Sequence, residues 1–305
     1  MDIYVKSAWD SAQLFVRDKI DCTGVEVQLL DEFLSPMSLP NLTWKPSVQI
    51  LVEHNVKVIH APLLNKLGLS LDLEQICNGD SLYSDIWFRT FRLADEVGDI
   101  LNRKITIVVH MSKCYKDLVD LGLNETFIAK LADILTVFQY VEIAIEILPM
   151  INIDLSGTLS YRNSGYNDVC ETVKILRDKL QTDRIGVCLD VYHAMITANT
   201  MKGIRSKLQE EKKAPMDYSL ESHFKACSGI CKLIHLADFK GSGYGAGYHA
   251  IPFTKETDYK LRQILDLYHE YEYNCPITIE VTEKDYLEPQ GFISNALMIK
   301  EVEER

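Results

Sequence analysis

The stretch ITIVVH, residues 105–110, is a short run of mostly β-branched side chains that ends on a histidine. Such a run is typical of a strand that is buried on both faces of a parallel sheet. Five more runs end in the same way on a residue that can bind a divalent metal. They are VKVIH (56–60), VEIAIE (141–146), IGVCLD (185–190), KLIH (232–235) and ITIE (277–280). Because the carboxyl ends of parallel strands meet at one mouth of an α/β barrel, the pattern predicts a polar cluster at that mouth.

Two further strand-like runs, IYVKSA at 3–8 and GVEVQLL at 24–30, raise the number of strands to the eight that a closed barrel needs. Between strands, apolar residues recur at the spacing of helices that bury one face, most clearly over 84–99 and 127–138. Further helices are predicted over 44–54, 167–179, 257–270 and 293–304. No Pro/Gly/Ser-rich linker divides the chain. We therefore predict an α/β fold, with residues 1–305 forming one domain that is a single (β/α)8 TIM barrel.

Composition and charge narrow the class of protein. A hydrophobic fraction of 47% and a charged fraction of 25% are typical of a soluble globular chain with an ample core. The net charge of −12 argues against a protein that coats nucleic acid, because nonspecific phosphate binding depends on clustered Lys and Arg. We find no signal-peptide pattern and no run near the ~20 apolar residues of a membrane span. The expected location is intracellular, in the cytoplasm or, for a eukaryotic or viral protein, in the nucleus.

Eight side chains are candidates for a metal site at the barrel mouth. Six are the strand-end residues, and two follow a strand: His193 lies three residues after Asp190, and His249 lies fourteen after His235. The candidate metal ligands are His60, His110, Glu146, Asp190, His193, His235, His249 and Glu280. Buried polar groups must each find a partner, and shared metal ions supply one. Imidazole and carboxylate ligands without thiolate suit zinc, manganese or ferrous iron better than magnesium or calcium.

The order of these ligands, the LDVYH element at 189–193 and the segment HLADFKGSGYGAGYHAIPF at 235–253 resemble the xylose-isomerase-like barrels. Within them the chain is most similar to the endonuclease IV type of apurinic/apyrimidinic (AP) endonuclease, over nearly the whole stretch from His60 to Glu280. The resemblance implies three zinc ions at the mouth. The first would be held by His60, His110 and Glu146, the second by Glu146 as a bridge with Asp190, His235 and Glu280, and the third by His193 and His249.

The resemblance also implies an activity, the cleavage of double-stranded DNA 5′ to an abasic site in base excision repair. Glu280 and Glu146 are the expected catalytic residues: Glu280 would position or deprotonate the attacking water, and Glu146 would set the spacing of the metals. An abasic nucleotide costs less to flip out because it has no base to unstack. The expected partner is therefore duplex DNA with an abasic site, the protein is not expected to bind a membrane, and its expected form is a monomer.

Two positions depart from the family pattern. The third zinc site of the family also takes an Asp two residues before the second His, and this position is Gly247 here. We therefore expect two or three zinc ions, with manganese as an alternative. A Tyr is common in the family three residues after the first His, and this position is Leu63.

A sugar or sugar-phosphate isomerase or epimerase on the same barrel is the main alternative function. Its single metal needs a Glu, Asp, His, Glu set, and two of its glutamates could move a proton between the faces of a ketose. The chain offers such a set in Glu146, Asp190, His235 and Glu280. The acidic charge favours this alternative, whereas the additional His60, His110 and His249 favour the nuclease.

Overall fold

A computed structural model of the chain describes residues 1–30, 44–64, 70–77, 81–149, 151–153, 159–161, 165–210, 217–240 and 248–304. The strands in these residues are β1 (Ile3–Ala8), β2 (Gly24–Gln28), β3 (Val56–His60), β4 (Ile105–Val109), β5 (Val141–Glu146), β6 (Ile151–Ile153), β7 (Leu159–Tyr161), β8 (Ile185–Asp190), β9 (Cys231–Leu236), β10 (Asp238–Lys240), β11 (Tyr248–Ile251) and β12 (Ile277–Ile279). The α-helices are α1 (Ser11–Arg17), α2 (Trp44–Glu53), α3 (Ser81–Leu101), α4 (Tyr115–Asp120), α5 (Asn124–Val137), α6 (Tyr166–Leu180), α7 (Val191–Glu210), α8 (Leu220–Cys227), α9 (Asp258–Glu270) and α10 (Gln290–Glu303). A 3-10 helix spans Leu73–Cys77.

Eight strands close into a parallel barrel in the order β1-β12-β9-β8-β5-β4-β3-β2. The predicted (β/α)8 TIM barrel is confirmed, and all eight strand-like runs of the sequence form barrel strands. Two short antiparallel pairs, β6–β7 and β10–β11, follow β5 and β9 in the chain. The barrel strands lie between residues 3 and 279. The assignment of the whole chain to one domain stays a prediction.

The six predicted helices are present, each shifted by no more than a few residues at its ends. Asp10 caps the first helix, because its side chain accepts a hydrogen bond from the backbone N–H of Gln13 (2.9 Å). Helix α3 lies so close to the barrel at Gly98 that a Cβ atom there would meet the Cβ of Tyr140 at 2.5 Å and the carbonyl oxygen of Arg103 at 2.7 Å. Among the described helices, none combines the length and the apolar character that a membrane crossing requires.

Side chains from six barrel strands form an apolar layer inside the barrel. This layer consists of Tyr4, Val58, Val108, Ala144, Cys188 and Leu233. Because side chains alternate between the two faces of a strand, the residue two positions further along each strand also points inward. In all six strands that residue is charged or is a histidine, and it lies toward the carboxyl end. The apolar layer is therefore the floor of the predicted polar cluster.

Candidate metal centre

Every barrel strand contributes one charged or imidazole side chain to a layer above the apolar floor, here called the polar layer. The polar layer consists of Lys6, Glu26, His60, His110, Glu146, Asp190, His235 and Glu280. Six of these are the predicted strand-end residues, and the structure brings all six together. The other two, Lys6 and Glu26, were missed by the sequence analysis. Each is a charged residue inside an otherwise apolar strand run, and this feature of the sequence could have identified both as residues of the site.

Three polar-layer residues from neighbouring strands form the first donor group, by which we mean a set of side chains whose ligand atoms could bind one metal ion. They are His60, His110 and Glu146. The Nε2 atoms of His60 and His110 lie 3.0 Å and 3.1 Å from the same Glu146 oxygen, Oε2. Burial acts to raise the pKa of Glu146, but the neighbouring histidines, His110 first among them, hold it well below its usual range. Glu146 is therefore an ionised carboxylate that is almost completely buried.

The contacts of His60 favour a cation beside Glu146. Burial, reinforced by the charge of Lys6, lowers the pKa of His60, so its ring is neutral near pH 7. Its Nδ1 lies 2.9 Å from the carbonyl oxygen of Ala61 and its Nε2 lies 3.0 Å from Oε2 of Glu146, and both of these oxygens can only accept. A neutral ring has one proton, so it can donate to only one of the two. A cation bound to Nε2 and Oε2 would let the proton stay on Nδ1.

A second donor group surrounds His235, which is 1% exposed and touches a glutamate on each side of its ring. Its Nε2 lies 3.0 Å from Oε2 of Glu26, with which it is hydrogen-bonded. Its Nδ1 lies 2.7 Å from Oε2 of Glu280, yet neither of these two buried atoms has a hydrogen-bond partner. Nδ1 of His235 and Oε2 of Glu280 are thus in ion-pair contact without hydrogen-bond geometry, and both are atoms that can bind a metal.

Lys6 lies between the two glutamates of this group. Its Nζ is 2.6 Å from Oε1 of Glu280 and 3.4 Å from Oε1 of Glu26. In the parallel pairing of β1 with β2, Lys6 is the register partner of Glu26. Burial acts to lower the pKa of Lys6, but Glu280 and Glu26 raise it above its usual range, so the ammonium group stays charged.

Asp190 and His193 link the two groups. Glu146, Asp190 and His235 offer donor atoms within 4.8 Å of one another, so Glu146 takes part in two adjacent groups. Nδ1 of His193 lies 3.0 Å from Oδ2 of Asp190, 3.1 Å from Oε1 of Glu146 and 3.1 Å from the carbonyl oxygen of Ile147. Burial acts to lower the pKa of His193, but Asp190 and Glu146 raise it to about 10.

The third metal of the family pattern depends on residues that the structure does not describe in full. Gly247 lies outside the described residues, and His249 is described only as part of the backbone of β11. The role of His249 as a ligand, shared with His193, therefore stays a prediction.

The donor atoms fit divalent cations. The polar layer has four carboxylates against one ammonium group, a formal charge of −3 when its histidines are neutral. Burying such an excess of negative charge is costly unless cations neutralise it. The close nitrogen–oxygen contacts of His60 with Glu146 and of His235 with Glu280 indicate where cations would bind. Nitrogen and oxygen donors without thiolate suit zinc or manganese.

A cavity of about 430 Å³ opens beside this centre at the barrel mouth. Its polar wall includes Lys6, Asp190, His193, His235 and Glu280. The aromatic rings of Tyr192, Tyr286 and Phe292 also line it. Among the described residues that line the cavity there is no arginine. The cavity therefore gives a small polar molecule a place beside Glu280.

Comparison with known proteins finds similarity at the level of structure alone. No family model and no curated protein sequence matches the chain. Endonuclease IV from Thermus thermophilus matches it with a TM-score of 0.56 at 13% identity, over 100% of this chain and 99% of that one. The IOLI protein with a bound zinc atom matches with a TM-score of 0.57 at 15% identity, over 99% and 96% of the two chains. L-ribulose 3-epimerase matches with a TM-score of 0.55 at 13% identity, over 99% and 96%.

These matches show that the chain shares its (β/α)8 barrel fold with these proteins. This fold includes a nuclease and sugar epimerases among the structures that match, so it does not choose between the two predicted functions. The choice depends on the chemistry of the polar layer and of the cavity beside it.

Proposed function

We propose that this xylose-isomerase-like barrel is a metal-dependent phosphodiesterase that cleaves double-stranded DNA 5′ to abasic sites. The observation that carries the proposal is the position of Glu146 in two adjacent donor groups. A single-metal isomerase would use one of these groups and would leave His60 and His110 facing a carboxylate without a cation. Two neighbouring divalent ions account for both histidines.

Zinc ions held by these residues would supply Lewis acidity toward a phosphodiester and lower the pKa of water toward neutrality. Glu146 would set the spacing of the two ions, and His60 and His110 would complete the first of them. Glu280 is the carboxylate that faces the cavity, and it would position the attacking water as a ligand of the metal that activates it. Lys6 holds the other oxygen of Glu280 at 2.6 Å, which fixes the direction of the carboxylate.

The cavity is the proposed place for the abasic nucleotide. Without a base, that nucleotide is cheaper to extrude from the duplex than an intact one. The rings of Tyr192 and Tyr286 line the cavity and would contact the deoxyribose. Because the whole chain carries a net charge of −12 and the described cavity lining has no arginine, few Lys or Arg contacts to phosphates are available, so we expect DNA binding that depends only weakly on salt concentration.

The test is incubation of the purified protein with a duplex that contains one tetrahydrofuran analogue of an abasic site. We expect a single nick 5′ to the analogue, its loss with a chelator and its return with added zinc. Glu280→Gln should lose turnover while it remains folded. Glu142→Gln is the matched control, because Glu142 pairs with Lys232 (3.1 Å) at the other end of the barrel. Metal-loaded protein that leaves the duplex intact would contradict the proposal.

A second candidate, a sugar isomerase or epimerase, is favoured by the acidic charge of the chain and by the absence of arginine from the described lining of the cavity. In that case Glu146 and Glu280 would move a proton on a ketose bound beside a single metal ion. The protein would then bind one manganese ion per chain. It would also exchange a carbon-bound proton of a ketose for solvent deuterium, which NMR detects. Two tightly bound zinc ions without such exchange would exclude this candidate.

A further inference from the structure

Glu26 and Glu280 approach opposite nitrogens of the His235 ring. Glu26 meets Nε2 and Glu280 meets Nδ1, and the two nitrogens of one imidazole point away from each other. A single metal ion therefore cannot be bound by His235 and by both glutamates. The glutamate on the metal side is Glu280, because its side chain is 32% exposed and lines the cavity, whereas Glu26 is fully buried.

Glu26 has a different task on the side away from the cavity. A carboxylate that accepts a hydrogen bond from Nε2 holds the proton on that nitrogen, so Nδ1 is the nitrogen that would bind a metal ion. The 3.0 Å contact with Nε2 is a hydrogen bond, so Glu26 also fixes the orientation of the ring. The unsatisfied Nδ1 is then directed to the same place as the unsatisfied Oε2 of Glu280.

Lys6 completes this arrangement through the remaining oxygens. It contacts Oε1 of Glu280 and Oε1 of Glu26, while the Oε2 atoms of both glutamates face His235. One ammonium group thus prevents Glu280 from offering both of its oxygens to a metal. It also supplies a counter-charge for Glu26, which has no solvent exposure.

We propose that Glu26 and Lys6 are positioning residues of the metal centre. Glu26 selects Nδ1 of His235 as the ligand atom, and Lys6 restricts Glu280 to a single ligand oxygen. The inference rests on the proposed metal centre, but it does not depend on the identity of the substrate.

The first test is zinc titration of the metal-free protein against a chromophoric chelator, with no DNA present. Glu26→Gln should lower the affinity for one of the two zinc ions about 10- to 100-fold and leave the affinity for the other unchanged. A hydrogen-bond partner of a ligand histidine typically contributes this much to metal affinity. The control is again Glu142→Gln, which also removes the charge of a lysine-paired glutamate but lies away from the centre. A purely structural Glu26 would lower the melting temperature without this selective loss of one ion, and that result would overturn the proposal.

The second test uses Lys6→Met in the cobalt-substituted protein. Without the ammonium group, Glu280 can offer both oxygens, so we expect an altered visible spectrum of cobalt and metal binding at least as tight as in the wild type. A spectrum identical to that of the wild type would overturn the role of Lys6. If the wild type binds zinc and Glu26→Gln loses one ion, but abasic DNA stays intact, the positioning roles stand and the nuclease proposal fails. If the wild type nicks DNA and Glu26→Gln binds zinc normally, the reverse holds.

Discussion

Glu146→Gln is the substitution that most directly tests whether the polar layer holds two ions. Glu146 is 3% exposed, and its Oε2 lies 3.0 Å from Nε2 of His60 and 3.1 Å from Nε2 of His110. Its other oxygen faces His193 at 3.1 Å, and it also belongs to the group with Asp190 and His235. Glutamine keeps the size of the side chain but removes the charge and one acceptor oxygen.

The expected magnitude follows from this burial. Removing one partner of a buried charged pair costs about 3–5 kcal/mol, because the other charge is left uncompensated. At 1.4 kcal/mol for each factor of ten, this corresponds to a loss of roughly 10²- to 4 × 10³-fold in affinity. Because Glu146 takes part in both groups, the loss should affect both ions, unlike the selective loss that is expected of Glu26→Gln.

The assay is competition for zinc with a chelator, followed by measurement of the zinc that remains on the protein. At a chelator concentration that leaves the wild type with two ions, Glu146→Gln should retain none. Glu142→Gln, four residues earlier in the same strand, should retain both. A Glu146→Gln protein that keeps one ion at wild-type affinity would refute the bridging role, and one that keeps both would refute the metal centre as described.

Three further predictions concern the stability of the fold. In metal-free protein the pKa of His193 is raised to about 10, above the ~6.5 of a histidine in the unfolded chain. The protonated His193 ring therefore stabilises the fold fully below about pH 6.5, and this stabilisation is lost as the pH rises toward 10. The melting temperature should fall over that range and fall less in His193→Asn; equal slopes would contradict this. Zinc at 100 times its dissociation constant should add about 2.7 kcal/mol of stability per ion, and a melting temperature that does not respond to a chelator would argue against bound metal. Gly98→Ala should lower the free energy of unfolding by about 1–3 kcal/mol in urea titrations, because the added Cβ meets backbone and side-chain atoms closer than 3 Å; unchanged stability would show that the helix can move away.

The fold could be predicted from the sequence because a barrel repeats one pattern eight times. Each strand run has the length and the β-branched content of a buried parallel strand, and the helices between them have a clear apolar face. The short pairs β6–β7 and β10–β11 were not predicted, since segments of three or four residues contain too few positions to show a period. Helix α7 was also missed, because it begins at Val191 directly after β8, with no turn signal between them.

The residues of the candidate site were predicted only where a metal-binding side chain stands at the end of a strand run. His110 and Glu280 stand one residue past strands β4 and β12. In the sequence each directly follows an apolar run, which marks it as a strand-end residue. Glu26 is followed by the apolar Val27, so its run shows no polar stop. Lys6 was passed over because lysine is not a metal ligand, although its place in the layer is equivalent to that of the ligands. Only the closure of the barrel shows that these two side chains point inward with the others.

The charge of the polar layer connects the number of metal ions with the class of substrate. With Lys6 protonated and the histidines neutral, as metal ligands must be, four carboxylates leave a formal charge of −3. One divalent ion brings the layer to −1, which suits a neutral ketose, whereas two bring it to +1. A net positive layer at the base of the cavity attracts a phosphodiester, although the whole chain carries −12. With methionine in place of Lys6, two ions would leave the layer neutral. The buried lysine therefore gives the two-metal form of this centre its attraction for an anion.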